Sequence, residues 1–457
     1  MTYIGKQILG SFVALAIFMG GWGVPVISVS TLTLLSNVET AHARKKRRPP
    51  VAKKVGTLGK RAYAIITDSR EALAEGENAK ARSLVNRILN NNKYTPYEKA
   101  IAHQVNSFIY ADEGKFTLAI QSLQKMLRVQ TIPKKMRASM NYNLAQLLLA
   151  DDKPKKALLV MKRWLKATPK PPPAAKAMLA NIYVIMGDFE KAEGYIREAL
   201  QEAKQPRENW YRILLAVLVS DENWAEAADL LKTMVGKYPG KKIYWQQLSS
   251  VYGALEDLPN FFAAQQAMNE QEMLSKTKEF EILSKLYLYN IVPFEAAIIL
   301  QREIKAGRVK ENQENYELLA NSWLMAREWE KASHPMRKAA ELSEDGDLYL
   351  RLGQTYLRDE QWGKAEEAIA LGVKKGKLKN EGLAWFLLGI ARYKTDRLQE
   401  AREAFFEAAN DDDYIKEALR WARNAERKMN IIKERERQAQ LAAEEDAEKN
   451  SILQGKL

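Results

Sequence analysis

From Lys60 onward apolar residues recur at three- and four-residue intervals, and no segment alternates as a strand does. The pattern is clearest between Gly346 and Gly372, where Tyr349, Leu352 and Tyr356 form one apolar stripe of a first helix. Gly353 and Ala365 are small, which lets a second, antiparallel helix cross close to the first. One such pair cannot bury its own face and needs neighbours of the same kind. They are present: the place held by Gly353 recurs at positions 69, 107, 145, 180, 215, 249, 284, 320, 353 and 389, at intervals of 33 to 38 residues. Near-equal intervals of this length predict an all-α chain, a right-handed helical solenoid of about ten helix pairs over residues 62–413.

Three places interrupt the regularity. Thr168 to Pro173 holds four prolines and should stop one helix pair and launch the next. Phe261 and Phe262 stand where a small residue is expected, which predicts a second helix displaced or shifted in register. Pro335 falls inside a second helix and predicts a kink. After Asp411-Asp412-Asp413, the residues Ile415, Leu419, Ala422, Met429 and Ile432 make a last apolar stripe, read as a capping helix over 414–432. Residues 433–457 have almost no apolar face and should be a frayed, exposed helix or a disordered tail.

The repeat resembles the tetratricopeptide (TPR) unit: Tyr349, Leu352-Gly353, Tyr356, Ala365 and Ile369 follow its spacing, as do Leu179-Ala180, Tyr183, Ala192 and Ile196. The resemblance implies stacked helix pairs whose first helices line a groove for an extended segment or helix of another protein. Counting along those helices, the groove-facing residues would be Asn181, Arg212, Gln246, Lys285, Asn321, Gln354 and Arg358. This polar, mildly basic set suits an acidic or amide-rich peptide. The TPR clamp for a C-terminal carboxylate needs paired Lys, Asn and Arg on adjacent first helices; here Asn181 is followed one repeat later by Ala216, so that clamp is not reproduced.

The formal charge of +14 suggests a polyanion partner until it is located. Nine basic residues and no acid lie in residues 44–61, and the body beyond is nearly balanced. Residues 44–61 therefore read as a basic flexible linker. Its Arg44, Lys45, Lys46, Arg47 and Arg48 are candidates for contact with anionic lipid headgroups or an acidic partner. Ahead of it, Ile8–Met19 and Val24–Leu35 are apolar, and Ala41-His42-Ala43 has the small-x-small pattern of a signal-peptidase site. Residues 1–43 are expected to be an export signal cleaved after Ala43, placing the protein in the periplasm. The positive cluster directly after Ala43 supports the alternative, an uncleaved anchor in the inner membrane.

No catalytic constellation is visible. There is no cysteine, the three histidines lie far apart, and no phosphate-binding glycine loop follows a strand. Neither a metal, a cofactor nor an enzymatic activity is expected. Most of the tryptophans and tyrosines fall on repeat positions and should be core, whereas Trp164, Tyr195 and Tyr393 fall off them and are candidates for exposed contacts. By length, export signal and arrangement the chain also resembles periplasmic TPR proteins that accompany TonB–ExbB–ExbD energy-transduction systems. That resemblance implies a scaffold with ExbB, ExbD or TonB-like partners. A membrane-anchored assembly factor and a nucleic-acid or glycan binder are the alternatives, and no nucleic acid is expected on the charge balance of the body.

Overall fold

A computed structural model of the chain describes residues 57–454. The proposed export signal and the cluster Arg44–Arg48 lie outside the described residues. Among those described there are 21 helices and no strand. The chain is an α-solenoid divided into two compact units, one running to Phe261 and the other from Phe262.

The first unit holds five complete antiparallel pairs: α1 (Lys60–Ala74) with α2 (Asn78–Leu89), α3 (Pro96–Asp112) with α4 (Phe116–Leu127), α5 (Lys134–Ala150) with α6 (Pro154–Lys166), α7 (Pro173–Ile185) with α8 (Phe189–Glu202), and α9 (Glu208–Ser220) with α10 (Trp224–Lys237). Helix α11 (Lys242–Ala254) packs on α10, and α12 (Leu258–Glu270) spans the division. The second unit holds α13 (Thr277–Tyr289) with α14 (Pro293–Lys305), α15 (Gln313–Met325) with α16 (Trp329–Leu342), α17 (Asp347–Arg358) with α18 (Trp362–Lys375), and α19 (Glu381–Lys394) with α20 (Leu398–Ala408). It ends in α21 (Ile415–Gln454), which packs on α20.

The helix ends follow local chemistry. Pro96, Pro154, Pro173 and Pro293 stand in first turns, where a missing N–H costs nothing. Thr95 and Glu98 form a reciprocal capping box at the start of α3, and Asn380 caps α19. Each pair is closed by a short turn with one residue in the left-handed region: Gly76, Gly114, Asp152, Gly187, Glu222, Glu256, Ile291, Arg327, Glu360 and Asp396, with φ between 52° and 78°. Nine of these are glycine or a charged residue. Ile291, at φ 60°, is β-branched, a conformation that costs about 1–3 kcal/mol.

Packing repeats from pair to pair. On second helices the same three places are buried in successive repeats, as in Ala192-Ile196-Ala199, Ala227-Leu231-Met234 and Ala332-Met336-Ala339. Helix α12 keeps that register, with Phe261, Gln265 and Met268 buried at the same three places. The register is therefore kept: Phe261 occupies the small residue's place, and a buried glutamine replaces the usual large apolar one. Helix α16 keeps its helical assignment through Pro335, which is buried.

At the C-terminus residues 415–454 form one continuous helix of 40 residues, exposed from 433 to 447 as one of the two expectations for that stretch had it, while the packed stripe differs from the expected one. Its packed face is Ala418, Ala422 and Ala425 with Trp421, while Ile415 and Leu419 are exposed. The large rings of Phe405 and Tyr393 on the opposing helices leave room for alanine on the facing stripe, and the bulkier Leu419 is turned outward.

Candidate first-helix face

Within each unit, successive first helices present a row of side chains that neither fill the core nor lie fully in solvent. In the first unit Asn181 on α7, Arg212 on α9 and Gln246 on α11 are all half-buried. Arg212 lies beside a compact charged group. There the Lys241 ammonium donates to both oxygens of Glu208 at 2.6 Å, and the Tyr244 hydroxyl donates to the same carboxylate. Burial pushes the Glu208 carboxyl up, but the bonds from Lys241 and Tyr244 outweigh it and hold it below the usual carboxylate range. Burial, followed by the bond to Glu208, pushes the Tyr244 phenol well above its ordinary value.

In the second unit the row runs Lys285 on α13, Asn321 on α15 and Gln354 on α17. Lys285 is exposed and pairs with no carboxylate among the described residues, while Asn321 and Gln354 are half-buried. A guanidinium ties two first helices together: Arg351 donates at 2.5 Å to Glu317 and at 2.5 Å to the side-chain oxygen of Asn321. Charge-assisted bonds of this kind fix side-chain geometry on the face. The Asn321 side-chain oxygen is thus engaged. Counting along the helix did not single out Glu317 or Arg351, although Glu317 stands four residues before Asn321 and Arg351 three before Gln354. Their spacing on one helical face was the available signal.

Arg358, four residues on from Gln354 at the end of α17, is exposed. Its guanidinium lies 5.5 Å from the ring centroid of Trp329, the first residue of α16, at the edge where helix pairs turn. The three aromatic residues expected to be exposed are also packed. Trp164 is 8% exposed and meets Tyr142 at 5.5 Å; Tyr195 stacks on Tyr183 at 5.7 Å; Tyr393 meets Trp421 edge-on at 5.3 Å. Among the described residues no group of three or more His, Asp or Glu could hold a metal ion, and no helix is long and apolar enough to cross a membrane.

Comparison with known proteins agrees with the repeat reading. One family model described as tetratricopeptide repeat matches residues 109–172 and 350–414, and a second of the same description matches residues 177–209. No curated protein sequence matches the chain. Solved structures with similarity include a tetratricopeptide repeat protein from Parabacteroides merdae, 15% identical over 61% of this chain and 99% of that one, with a TM-score of 0.35. The C-terminal part of a TPR repeat-containing protein from Cytophaga hutchinsonii is 11% identical over 61% of this chain and 95% of that one, with a TM-score of 0.38. YrrB, described as a TPR protein with an unusual peptide-binding site, is 15% identical over 44% of this chain and 100% of its own, with a TM-score of 0.33. The chain carries tetratricopeptide repeats.

Proposed function

We propose that the protein is a non-enzymatic scaffold of the bacterial cell envelope that holds a segment of a partner protein against its first-helix face. The observation that carries this reading is the ordered polar row of the second unit, where Arg351 fixes Glu317 and Asn321 beside Gln354. Half-buried amide and charged groups on adjacent helices can bond the backbone and side chains of an extended segment, and the repeat supplies such groups at regular intervals. The envelope location is proposed from the apolar stretches ahead of Ala43, with cleavage after Ala43 and a periplasmic mature protein. The basic residues Arg44–Arg48 would then lie beside anionic headgroups. Components of the ExbB, ExbD or TonB kind are the narrower partner proposal, supported by the chain's length, its N-terminal apolar segment and the arrangement of its repeats.

The test is affinity capture with the mature exported form, beside an Asn321→Ala, Gln354→Ala double variant. A specific envelope protein retained by the first and lost by the second, with both folded by circular dichroism, is the expected result. Retention by both would remove the first-helix face from the reading. Intact mass of the exported protein decides the N-terminus: a chain beginning at Arg44 supports cleavage, and a retained Met1 supports an anchor.

A further inference from the structure

The ten interhelix turns do the same geometric work, so each serves as a control for the others. Nine place glycine or a charged residue at the left-handed position. The turn between α13 and α14 places Ile291 there, 77% exposed, and the residues around it are apolar as well: Tyr289, Val292 and Phe294 are all partly exposed. The neighbouring pair adds Met325, 54% exposed, one repeat on from Tyr289. Folding does not require this arrangement, because the other turns close with glycine or a charged residue and without a β-branched side chain. A strained backbone that displays a large apolar side chain to solvent marks a surface kept for contact with something else.

The chemistry of the contact follows from what borders the turn. Lys285 lies one helical turn before Tyr289 on α13, and Arg327 takes the equivalent of Ile291 in the next repeat. Both are exposed, and neither pairs with a carboxylate among the described residues. Lys285 also belongs to the polar row, so the apolar turn is the lip of the first-helix face in the second unit. We propose that this lip, formed by Tyr289, Ile291 and Met325, docks the part of a partner segment where a large apolar residue stands beside an acidic one. The apolar residue covers Ile291, and the acid meets Lys285 or Arg327. The inference rests on the reading of the first-helix face as the partner site and adds to it where the segment is anchored.

The experiment selects short random displayed peptides on the full chain and measures their affinity for the wild type and four variants. Peptides pairing Asp or Glu with Leu, Ile or Phe are expected. Ile291→Gly should weaken them about tenfold or more, as loss of an anchoring contact does. Lys285→Glu and Arg327→Glu should weaken them too. The same Ile291→Gly variant should melt at a higher temperature, since glycine adopts the left-handed conformation freely. A lower melting temperature would make Ile291 a structural residue and overturn the inference. Peptides that bind Ile291→Gly as well as wild type, but are lost on Asn321→Ala with Gln354→Ala, would leave the first-helix reading standing and remove the lip. Failure to select any peptide would remove both. Ile291-dependent self-association, or Ile291-dependent binding to anionic phosphatidylglycerol vesicles without peptide binding, would assign the surface to a second copy or to lipid instead.

Discussion

The same helix crossing is solved differently in the last two pairs of the second unit and the first two pairs of the first. In the second, Gly353 and Gly389 leave out a side chain so that a large residue of the opposite helix can enter. A Cβ at Gly353 would stand 2.2 Å from Ile369, and one at Gly389 would stand 2.6 Å from Phe405. In the first unit two of the equivalent places are Ser69 and Ser107, whose hydroxyls donate to the carbonyls of Ala81 at 2.9 Å and Ala119 at 2.8 Å. One solution spends the space on apolar contact and the other on a buried hydrogen bond. A repeat needs a close crossing, and either chemistry provides it. This is why a single residue type cannot be demanded at that position when such repeats are sought.

The comparison can be broken in a graded way. Gly353→Val should have the largest effect, destabilising the second unit by about 3 kcal/mol through overpacking against Ile369. Chemical denaturation would show it as a shift of midpoint. Gly389→Ala should cost about 1 kcal/mol net, because the clash with Phe405 is partly offset by alanine's helix propensity, also about 1 kcal/mol.

Helix α14 offers a charged variant of the polar solution. Glu303 is buried at the place taken by Ala339 or Ala408 elsewhere, with Arg302 and Arg308 as partners. Burial pushes its carboxyl up, but the bonds from Arg308 and Arg302 prevail and hold it below the usual carboxylate range. Its folded value is thus depressed. The stabilisation is complete above the ordinary carboxylate range and is lost as pH falls through the folded value. The melting-temperature advantage of wild type over Glu303→Gln should therefore be constant near neutrality and shrink in acid.

The serines give the smallest and sharpest contrast. Ser107→Ala should cost about 1 kcal/mol, since it removes a buried hydrogen bond. Ser284 occupies the same place on α13, but its buried hydroxyl has no partner. Ser284→Ala should be neutral or stabilising by up to about 1 kcal/mol. Equal losses at Ser107 and Ser284 would show that the hydroxyl's volume matters and its bond does not.

The repeat itself was legible because its signal is additive: small and large residues at fixed places recur until chance is excluded. The tight crossing at Gly353 and the multi-proline joint before α7 could both be placed from spacing alone. What could not be read was the choice between neighbouring stripes on one helix. Leu419 and Ala422 both fit an apolar pattern on α21, and only the rings of Phe405 and Tyr393 decide that the alanines face inward. The contact of the Arg358 guanidinium with the Trp329 ring was not legible for a related reason, since counting residues gives an angle around the helix and not what lies at its end. Trp164 fell outside the counted positions but is core, where its ring packs against that of Tyr142. The first-helix row was legible as residue types, but the bond from Arg351 that organises Asn321 was not.

The packing of α21 decides where growth of the stack ends. Trp421 lies over Phe405 at 6.0 Å and against Tyr393 at 5.3 Å, on the surface that a further first helix would need. Beyond it the helix continues with exposed, largely charged side chains as far as residue 447, and at about 1.5 Å per residue its 40 residues reach about 60 Å. An array of near-identical modules has a built-in tendency to add the next module from another molecule. The C-terminal helix, seated on the last aromatic surface, covers the face on which such a module would stack at this end.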